Sequence, residues 1–189
     1  MDNSVENMEI RLLEREKWRG FVLDMDYVAC ERYETRVSDG KDGSSITLTR
    51  RKLSSPESHT SKQYDYLDKL YQDHFPGARA YGFVENGRLA GVIELYAEEW
   101  ANRLRVTELW VRADVRRRGL GGRLMDFAKA EARRQGRRMI ILETQTCNVN
   151  AIDFYRRNGF VLAGVLLADY SNDDPGRGEV RLEMGYYPT

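Results

Sequence analysis

A basic, glycine-rich turn between a strand pattern and a helix pattern constrains this chain more than any other segment. It follows the apolar alternation of Leu109 and Val111 and consists of Arg116, Arg117, Arg118, Gly119, Leu120, Gly121 and Gly122. Small residues allow backbone N–H groups to face an anion, and a helix that begins there adds partial positive charge. Tight packing could also require glycines, but three adjacent arginines would repel one another without an anion. The segment therefore predicts a pyrophosphate-binding turn.

Length and composition predict a single domain that spans residues 1–189. A chain of 189 residues is long enough to bury a substantial core. No apolar run approaches the roughly 18 residues of a membrane span. Residues 1–10 are polar and acidic, unlike a signal peptide. We therefore expect a cytoplasmic protein with no membrane partner.

Cys30 and Cys147 are the only cysteines, and neither has a further cysteine or a histidine at the spacing of a metal site. We therefore expect two reduced thiols, no disulfide and no metal. His59 and His74 lie in or beside predicted loops without partners, and no role is assigned to them.

The charge is unevenly distributed although the net charge is zero. Residues 101–140 hold 12 lysines or arginines against 4 acidic residues, which suggests a bound anion on one side of the protein. For Arg133, Arg134, Arg137 and Arg138 a solvated helix face is the simpler interpretation. Basic residues are not interleaved with aromatic ones, so nucleic acid is not an expected partner.

In the first half of the chain, periodicity predicts strands before a single amphipathic helix. A strand over 8–13 leads into a short helix, and a hairpin joins 27–37 to 45–53 through a turn at 38–43. Residues 54–60 are a loop by composition. Ser61 is predicted to cap a helix that ends before Pro76-Gly77 and carries Tyr64, Leu67, Leu70 and Tyr71.

The second half alternates strands and helices. Strands over 80–85 and 89–97 flank Asn86-Gly87, a dipeptide that suits the positive φ angles of a type I′ turn. A third strand over 104–111 precedes the glycine-rich turn. The expected elements after the turn are a helix over 120–135 stopped by Gly136, a strand over 139–146, a helix over 148–157, and strands over 160–169 and 179–187.

Two motifs, in this order, make the chain resemble the GCN5-related N-acetyltransferase (GNAT) family. The first is the Arg-x-x-Gly-x-Gly turn after a strand. The second begins at Asn148 and continues through Ala151, Phe154, Tyr155, Gly159 and Phe160. The match is strongest over 80–169. Within the family, residues 142–146 followed by Asn148, together with Trp100-Ala101-Asn102, look like the streptothricin acetyltransferases.

The resemblance implies an α/β (α+β) fold with a mixed central sheet, splayed between its fourth and fifth strands and flanked by helices. Acetyl-CoA would lie in the V-shaped gap. By motif position, backbone groups of Trp110 and Val111 would contact the pantetheine arm and the thioester carbonyl, and residues 116–122 would hold the pyrophosphate. Asn148 would lie near the pantetheine. Family members are often dimers, which leaves a homodimer open.

The resemblance also implies that Tyr155 is the general acid. When an amine expels the CoA thiolate, a hydroxyl with a pKa near 10 can donate a hydrogen bond or a proton to the developing negative sulfur. The alternative is an ordinary core aromatic on a short helix, a role that the neighbouring Phe154 could also fill.

The acceptor amine must lose a proton before it attacks. A lysine-like amine is almost wholly protonated at pH 7, and losing the proton costs about 4 to 5 kcal/mol. Glu108 is the first candidate for the carboxylate that helps, as base or in amine binding, and Glu94 on the neighbouring strand is the second. Glu143 is a further candidate, with a buried hydrogen-bonding role equally open. For Glu94 and Glu108 the alternative is a solvent-exposed position on the sheet.

Other residues could contact the substrate. Asp169, Asp173 and Asp174 could attract a cation, although a solvated turn is the simpler interpretation. Trp100 and Trp110 could line a groove, but large aromatic residues in strands usually pack in a core, which is the default expectation.

These observations predict an enzyme that moves an acetyl group from acetyl-CoA to a primary amine by direct attack. The expected acceptor is a small molecule, a streptothricin-like antibiotic with a β-lysine amine, which would make the protein a resistance determinant. Cys147 has no histidine beside it to support an acyl-enzyme route. The alternatives are a different acceptor, such as a protein lysine, a polyamine or another small amine, or a non-catalytic acetyl-CoA sensor.

Overall fold

The computed structural model describes residues 8–61 and 67–188, and the chain divides into two compact units. The described residues of the first unit are 8–25, 60–61, 67–142 and 186–188. Those of the second are 26–59 and 143–185. The single domain over 1–189 stays a prediction.

Nine strands and four α-helices occupy the described residues, besides short 3-10 turns. In chain order they are β1 (Arg11–Leu13), α1 (Arg15–Trp18), β2 (Tyr27–Gly40), β3 (Gly43–His59), β4 (Arg79–Glu85), β5 (Arg88–Glu98), β6 (Arg103–Val111), α2 (Leu120–Arg134), β7 (Met139–Gln145), α3 (Val149–Arg157), β8 (Val161–Leu166), α4 (Asp174–Arg177) and β9 (Arg181–Tyr186).

A mixed sheet forms the first unit. Its strands follow the order β1, β4, β5, β6 and the first part of β7. The pairs β1–β4, β4–β5 and β5–β6 are antiparallel. β6 and β7 pair in parallel from Arg103↔Met139 to Val106↔Leu142. This ladder ends halfway along β6. In the order of the sheet, β6 and β7 are the fourth and fifth strands, the two between which the resemblance implies a splay.

The β4–β5 hairpin has the predicted turn. Asn86 and Gly87 have φ angles of 48° and 78°, the left-handed pair that a type I′ turn requires. On the other edge of β5, Glu94 pairs with Glu108 and Leu95 pairs with Val106. Thr107 is therefore the extra residue of a β-bulge in β6.

Helix α2 begins at Leu120, one residue after the glycine that takes a left-handed conformation. Its buried residues recur at helical spacing and are Leu120, Leu124, Met125, Ala128 and Ala132. Gly136, with a φ angle of 62°, follows the helix as predicted. The sequence thus places the glycine-rich turn between the end of β6 and a well-packed helix.

The second unit contains a long two-stranded ribbon of β2 and β3, the antiparallel pair β8 and β9, and helix α3. One core cluster joins Tyr33 from the ribbon to α3 and β9 through Val149, Ile152 and Leu182. The backbone N–H of Tyr33 also donates to the carbonyl oxygen of Thr146 at 2.9 Å. These contacts hold α3, which carries the second sequence motif, against the ribbon.

Three expectations from the sequence are wrong. Residues 54–59 of the expected loop over 54–60 are instead the end of β3. The strand tolerates Pro56 because the register is irregular after Ala29, so Pro56 lies outside the regular ladder, where its missing N–H is not required. The described part of the helix expected after Ser61 is not helical, since Leu70 exchanges backbone hydrogen bonds with Gly20 and Phe21; Tyr64 lies outside the described residues. Trp100 is not in the core but 85% exposed.

Candidate active site

The glycine-rich turn alternates its backbone hand. Arg117 and Gly119 have φ angles of 63° and 83°, which lie in the left-handed region. Arg118, between them, has a negative φ angle. An alternation of right- and left-handed residues allows successive N–H groups to line a concavity that binds anions. An arginine tolerates the left-handed region less readily than glycine, so the conformation at Arg117 is a local cost of the turn.

The N–H groups of the turn are available to a ligand. In the part of the chain that the structure describes, no backbone N–H from Arg117 to Gly122 donates to a protein acceptor, and the first such bond of the helix is Arg123 N–H to the Gly119 carbonyl at 3.1 Å. The start of α2 has no side-chain cap either. Uncapped N–H groups and the helix dipole together favour a phosphate at this position.

Packing does not explain two of the glycines of this turn, Gly119 and Gly122. A Cβ atom built at Gly119 or Gly122 would meet no protein atom within 4 Å. Gly119 needs its glycine for the positive φ, but Gly122 is helical, where alanine is more favourable by about 1 kcal/mol. Open space beside Gly122 is what a closely approaching phosphate would need, so the packing explanation fails at this residue.

The three arginines of the turn have different surroundings. Arg116 Nε donates to the Val111 carbonyl at 2.9 Å, which connects the turn to the end of β6. Arg117 and Arg118 are exposed and, among the described residues, form no ion pair. Their charges are therefore available to an anion.

The end of β6 is anchored in the first unit. Trp110 is buried, in agreement with the default expectation of a core role, and its Nε1 donates to the Asp24 carbonyl at 2.8 Å. The side chain of Arg112 bonds Glu85 at 2.7 Å and Asp114 at 2.6 Å. The backbone that precedes the turn therefore has a defined position.

Glu94 and Glu108, the two candidate carboxylates of the first unit, are directly opposite each other in the antiparallel ladder. Neither is solvent-exposed, because Glu94 is 0% and Glu108 7% exposed. Burial raises the pKa of the Glu94 carboxyl, although hydrogen bonds from Tyr71 and Thr107 oppose the shift. Gln72 Nε2 donates to Glu108 Oε1 at 3.4 Å.

The sequence reasoning missed Tyr71, Gln72 and Thr107 as neighbours of this pair. One signal was present, since Glu108 occupies the buried phase of the alternation of β6 together with Leu104, Val106 and Trp110. No local signal predicts that residues 71 and 72 reach the strand, because they lie far from it in the chain.

In the second unit, Asn148 caps α3. Its Oδ1 accepts a hydrogen bond from the Ala151 N–H at 3.1 Å, and the helix begins one residue later. Tyr155 lies on the same helix and is half-buried, with its ring 5.6 Å from the Phe154 ring and 6.1 Å from the Phe160 ring. The roles predicted for Asn148 and Tyr155 stay predictions.

The acidic residues of the last loop bond within the protein. Asp169 Oδ2 accepts from Arg181 Nη1 at 2.8 Å, and Asp173 caps α4 through the Gly176 N–H at 3.1 Å. Asp174 is buried, and although burial raises its pKa, hydrogen bonds from Ser171 and from backbone N–H groups outweigh this and lower it. These carboxylates stabilise the loop.

Glu143 has two partners in the second unit. It accepts from the Tyr170 hydroxyl at 2.6 Å and pairs with Arg181 at 3.0 Å. Burial and the neighbouring carboxylate of Glu143 raise the pKa of the Tyr170 phenol. Glu143 is thus hydrogen-bonded but only partly buried, and its role as a base stays a prediction.

The two thiols differ in environment. Cys30 is exposed, whereas Cys147 is buried and lies 3.3 Å from the Tyr27 hydroxyl. Burial raises the pKa of Cys147, which disfavours the nucleophilic thiolate.

The described residues contain no cluster of His, Cys, Asp and Glu that could hold a metal ion. None of their helices is both long and apolar enough to span a membrane.

The strand, the uncapped glycine-rich turn and the helix define a class of protein. The sequence profile of the Acetyltransferase (GNAT) family matches residues 47–160, and the chain belongs to this family. The predicted family, fold and enzyme class are thereby confirmed.

Within this family, the chain is similar to several individual proteins. The chain is 35% identical over 99 residues to the streptothricin acetyltransferase of Streptomyces lavendulae, and the alignment spans 52% of each chain, about half of that relative's length. A nourseothricin acetyltransferase structure superimposes with a TM-score of 0.73 at 27% identity and covers 96% of this chain and 98% of its own. A protein from Bacillus anthracis str. Ames, solved in complex with acetyl coenzyme A, shares the fold with a TM-score of 0.71, 24% identity and coverage of 96% and 97%.

Proposed function

We propose that the protein is an acetyl-CoA-dependent N-acetyltransferase that acetylates the β-lysine amine of a streptothricin-like antibiotic. One observation carries the cofactor part of the proposal: in the turn from Arg117 to Gly122, no backbone N–H donates to an acceptor among the described residues, and the positions of Gly119 and Gly122 adjoin open space. Such a turn at the start of a helix binds the pyrophosphate of a nucleotide. Acetyl-CoA has this pyrophosphate and supplies the activated acetyl group.

Each step is assigned to residues of this chain. The N–H groups of residues 117–122 and the free charges of Arg117 and Arg118 bind the pyrophosphate. Backbone groups of Trp110 and Val111, together with Asn148, orient the pantetheine arm. Glu108 accepts the proton of the amine, directly or through water, and Tyr155 donates to the leaving thiolate.

Direct attack by the amine is favoured over an acyl-enzyme route. A nucleophilic cysteine needs a lowered pKa and access to substrate. Cys147 is 2% exposed, and burial raises its pKa. We therefore propose that the acetyl group moves to the amine in one transfer.

The acceptor is proposed from the relatives. The chain is similar to a streptothricin acetyltransferase and to a nourseothricin acetyltransferase, and Trp100-Ala101-Asn102 and residues 142–146 are the local features that link it to this group. A small-molecule amine in the cytoplasm is the corresponding setting, and resistance to the antibiotic is the proposed outcome.

The test follows the release of free thiol from acetyl-CoA with a panel of amines: streptothricin, an aminoglycoside, a polyamine and a lysine peptide. Release with streptothricin well above the other amines supports the proposal. Release with another amine replaces the acceptor but keeps the chemistry. Tight coenzyme binding with no release from any amine would instead identify a sensor.

A further inference from the structure

We propose that Glu94 is a positioning residue that holds Glu108 in place toward the acceptor amine. The inference rests on the proposed function, because it assigns Glu94 to the same reaction. It gives the two opposed glutamates different roles: Glu108 touches substrate, and Glu94 acts only through its neighbours.

Glu94 cannot itself take a proton from a substrate. Its side chain is 0% exposed, and both carboxylate oxygens accept hydrogen bonds from the protein. Oε2 accepts from the Tyr71 N–H at 2.6 Å, and Oε1 accepts from the Thr107 hydroxyl at 2.8 Å. The carboxylate therefore holds two separate chain segments together.

Both donors adjoin the surroundings of Glu108. Thr107 precedes Glu108 in the chain and is the extra residue of the bulge in β6. Tyr71 precedes Gln72, whose Nε2 approaches Glu108 Oε1 at 3.4 Å. One buried carboxylate thus fixes the backbone before Glu108 and the residue before its side-chain partner.

The backbone at Tyr71 shows that this position is imposed. Tyr71 has a φ angle of 61° although it is a bulky, buried aromatic residue, and such residues avoid the left-handed region unless surrounding contacts hold them there. Its hydroxyl donates to the Leu13 carbonyl and accepts from the Ala80 N–H at 3.1 Å. Glu94 supplies the contact to its N–H.

The charged groups that face Glu94 come from several elements. Burial raises the pKa of the Glu94 carboxyl, and the hydrogen bonds from Tyr71 and Thr107 oppose this shift, as does the guanidinium of Arg15 of α1, which lies over the Tyr71 ring at 4.8 Å. Glu108 faces Glu94 from β6. The Arg15 charge and the two hydrogen bonds thus act in the same direction, toward the charged form that accepts both bonds.

A double-mutant cycle tests the inference, with kcat measured in the thiol-release assay. We expect Glu108→Gln to lower kcat by about 100-fold. Glu94→Gln should lower kcat by about tenfold with the KM for acetyl-CoA unchanged, and by less than twofold in the Glu108→Gln background, because it acts through Glu108. Equal effects of Glu94→Gln in both backgrounds would overturn the proposal.

Two further variants separate positioning from stability. Glu98→Gln removes another buried carboxylate of the same strand, one that pairs with Arg103 and Arg105, and should lower thermal stability without changing kcat. Thr107→Val removes one donor to Glu94 at nearly constant volume and should lower kcat several-fold with the same dependence on Glu108. Thr107→Val replaces Glu94→Gln in the cycle if Glu94→Gln does not fold.

A failure of the proposed function is distinguishable. If no amine releases thiol from the wild-type protein, the proposed function fails, and coenzyme-free crystal structures decide the positioning role. Loss of the contact between Gln72 Nε2 and Glu108 Oε1 in Glu94→Gln, but not in Glu98→Gln, supports it. The contact retained in both variants overturns it.

Discussion

Arg116 Nε donates to the carbonyl oxygen of Val111 at 2.9 Å, so the first arginine of the glycine-rich turn bonds back to the strand that precedes it. The next two arginines are exposed and, within the described residues, have no acidic partner. Three identical side chains in succession therefore do different things. The first closes the turn, and the other two offer charge to an anion.

Replacement of Arg117 or Arg118 by alanine should weaken the binding of coenzyme A about fivefold, equivalent to about 1 kcal/mol for an exposed charge. The loss should shrink at high salt, because the attraction is screened. Isothermal titration at two ionic strengths measures this. Arg116→Ala is the comparison: it should lower the melting temperature more than the affinity, and the reverse ranking would contradict the assignment.

Gly122→Ala should have opposite effects on stability and on binding. A Cβ atom at this helical position meets no protein atom within 4 Å, and alanine favours the helix, so the melting temperature should rise by about 2–4 °C. The methyl group would occupy space proposed for the phosphate, and coenzyme affinity should fall about tenfold. Unchanged coenzyme affinity would contradict the proposal that a phosphate lies beside Gly122.

Tyr155→Phe should lower kcat at least 100-fold and leave coenzyme affinity nearly intact, because a general acid acts on the leaving group and not on binding. Steady-state rates and coenzyme titration measure the two effects. Tyr33→Phe is the control, since it removes another hydroxyl of the second unit, one that accepts from Arg156 at 2.5 Å. An unchanged rate in Tyr155→Phe would exclude the hydroxyl from the mechanism.

Iodoacetamide should label Cys30 before Cys147. Cys30 is exposed, whereas Cys147 is buried and burial raises the pKa of its thiol, so both access and thiolate content are low. Peptide mass spectrometry over time gives the two rates. Cys147→Ser should retain turnover. Rapid labelling of Cys147, or loss of turnover in the serine variant, would reopen the acyl-enzyme route.

The ionisation of Glu94 should make stability depend on pH. Burial raises its pKa in the folded protein above the ordinary value of 4.5, so the folded state binds this proton more tightly than the unfolded state. The resulting stability is fully present below about pH 4.5 and is lost as the pH rises through the folded pKa. The free energy of unfolding of the wild type minus that of Glu94→Gln, from urea titrations, should decrease over this range. Parallel curves would contradict the shift.

Features that depend on neighbouring residues follow from the sequence alone. Asn86-Gly87 defines its hairpin because only residues that accept positive φ angles make that turn, and Gly136 and Asn148 mark the end and the start of helices by backbone chemistry within a few residues. The glycine-rich turn, for which we propose phosphate binding, belongs to this group. Its backbone donors come from one short segment between a strand and a helix.

Contacts between distant segments decided the rest. Tyr71 fits a helical pattern locally, yet the Glu94 carboxylate, 23 residues away, accepts its N–H, and its φ angle is left-handed. The ribbon partner of β3 likewise overrides the loop composition of residues 54–60. The opposition of Glu94 and Glu108 depends on strand register and on a bulge at Thr107. Burial and long-range hydrogen bonds outweigh the weak preferences of single residues, so these relationships exist only once the chain has folded.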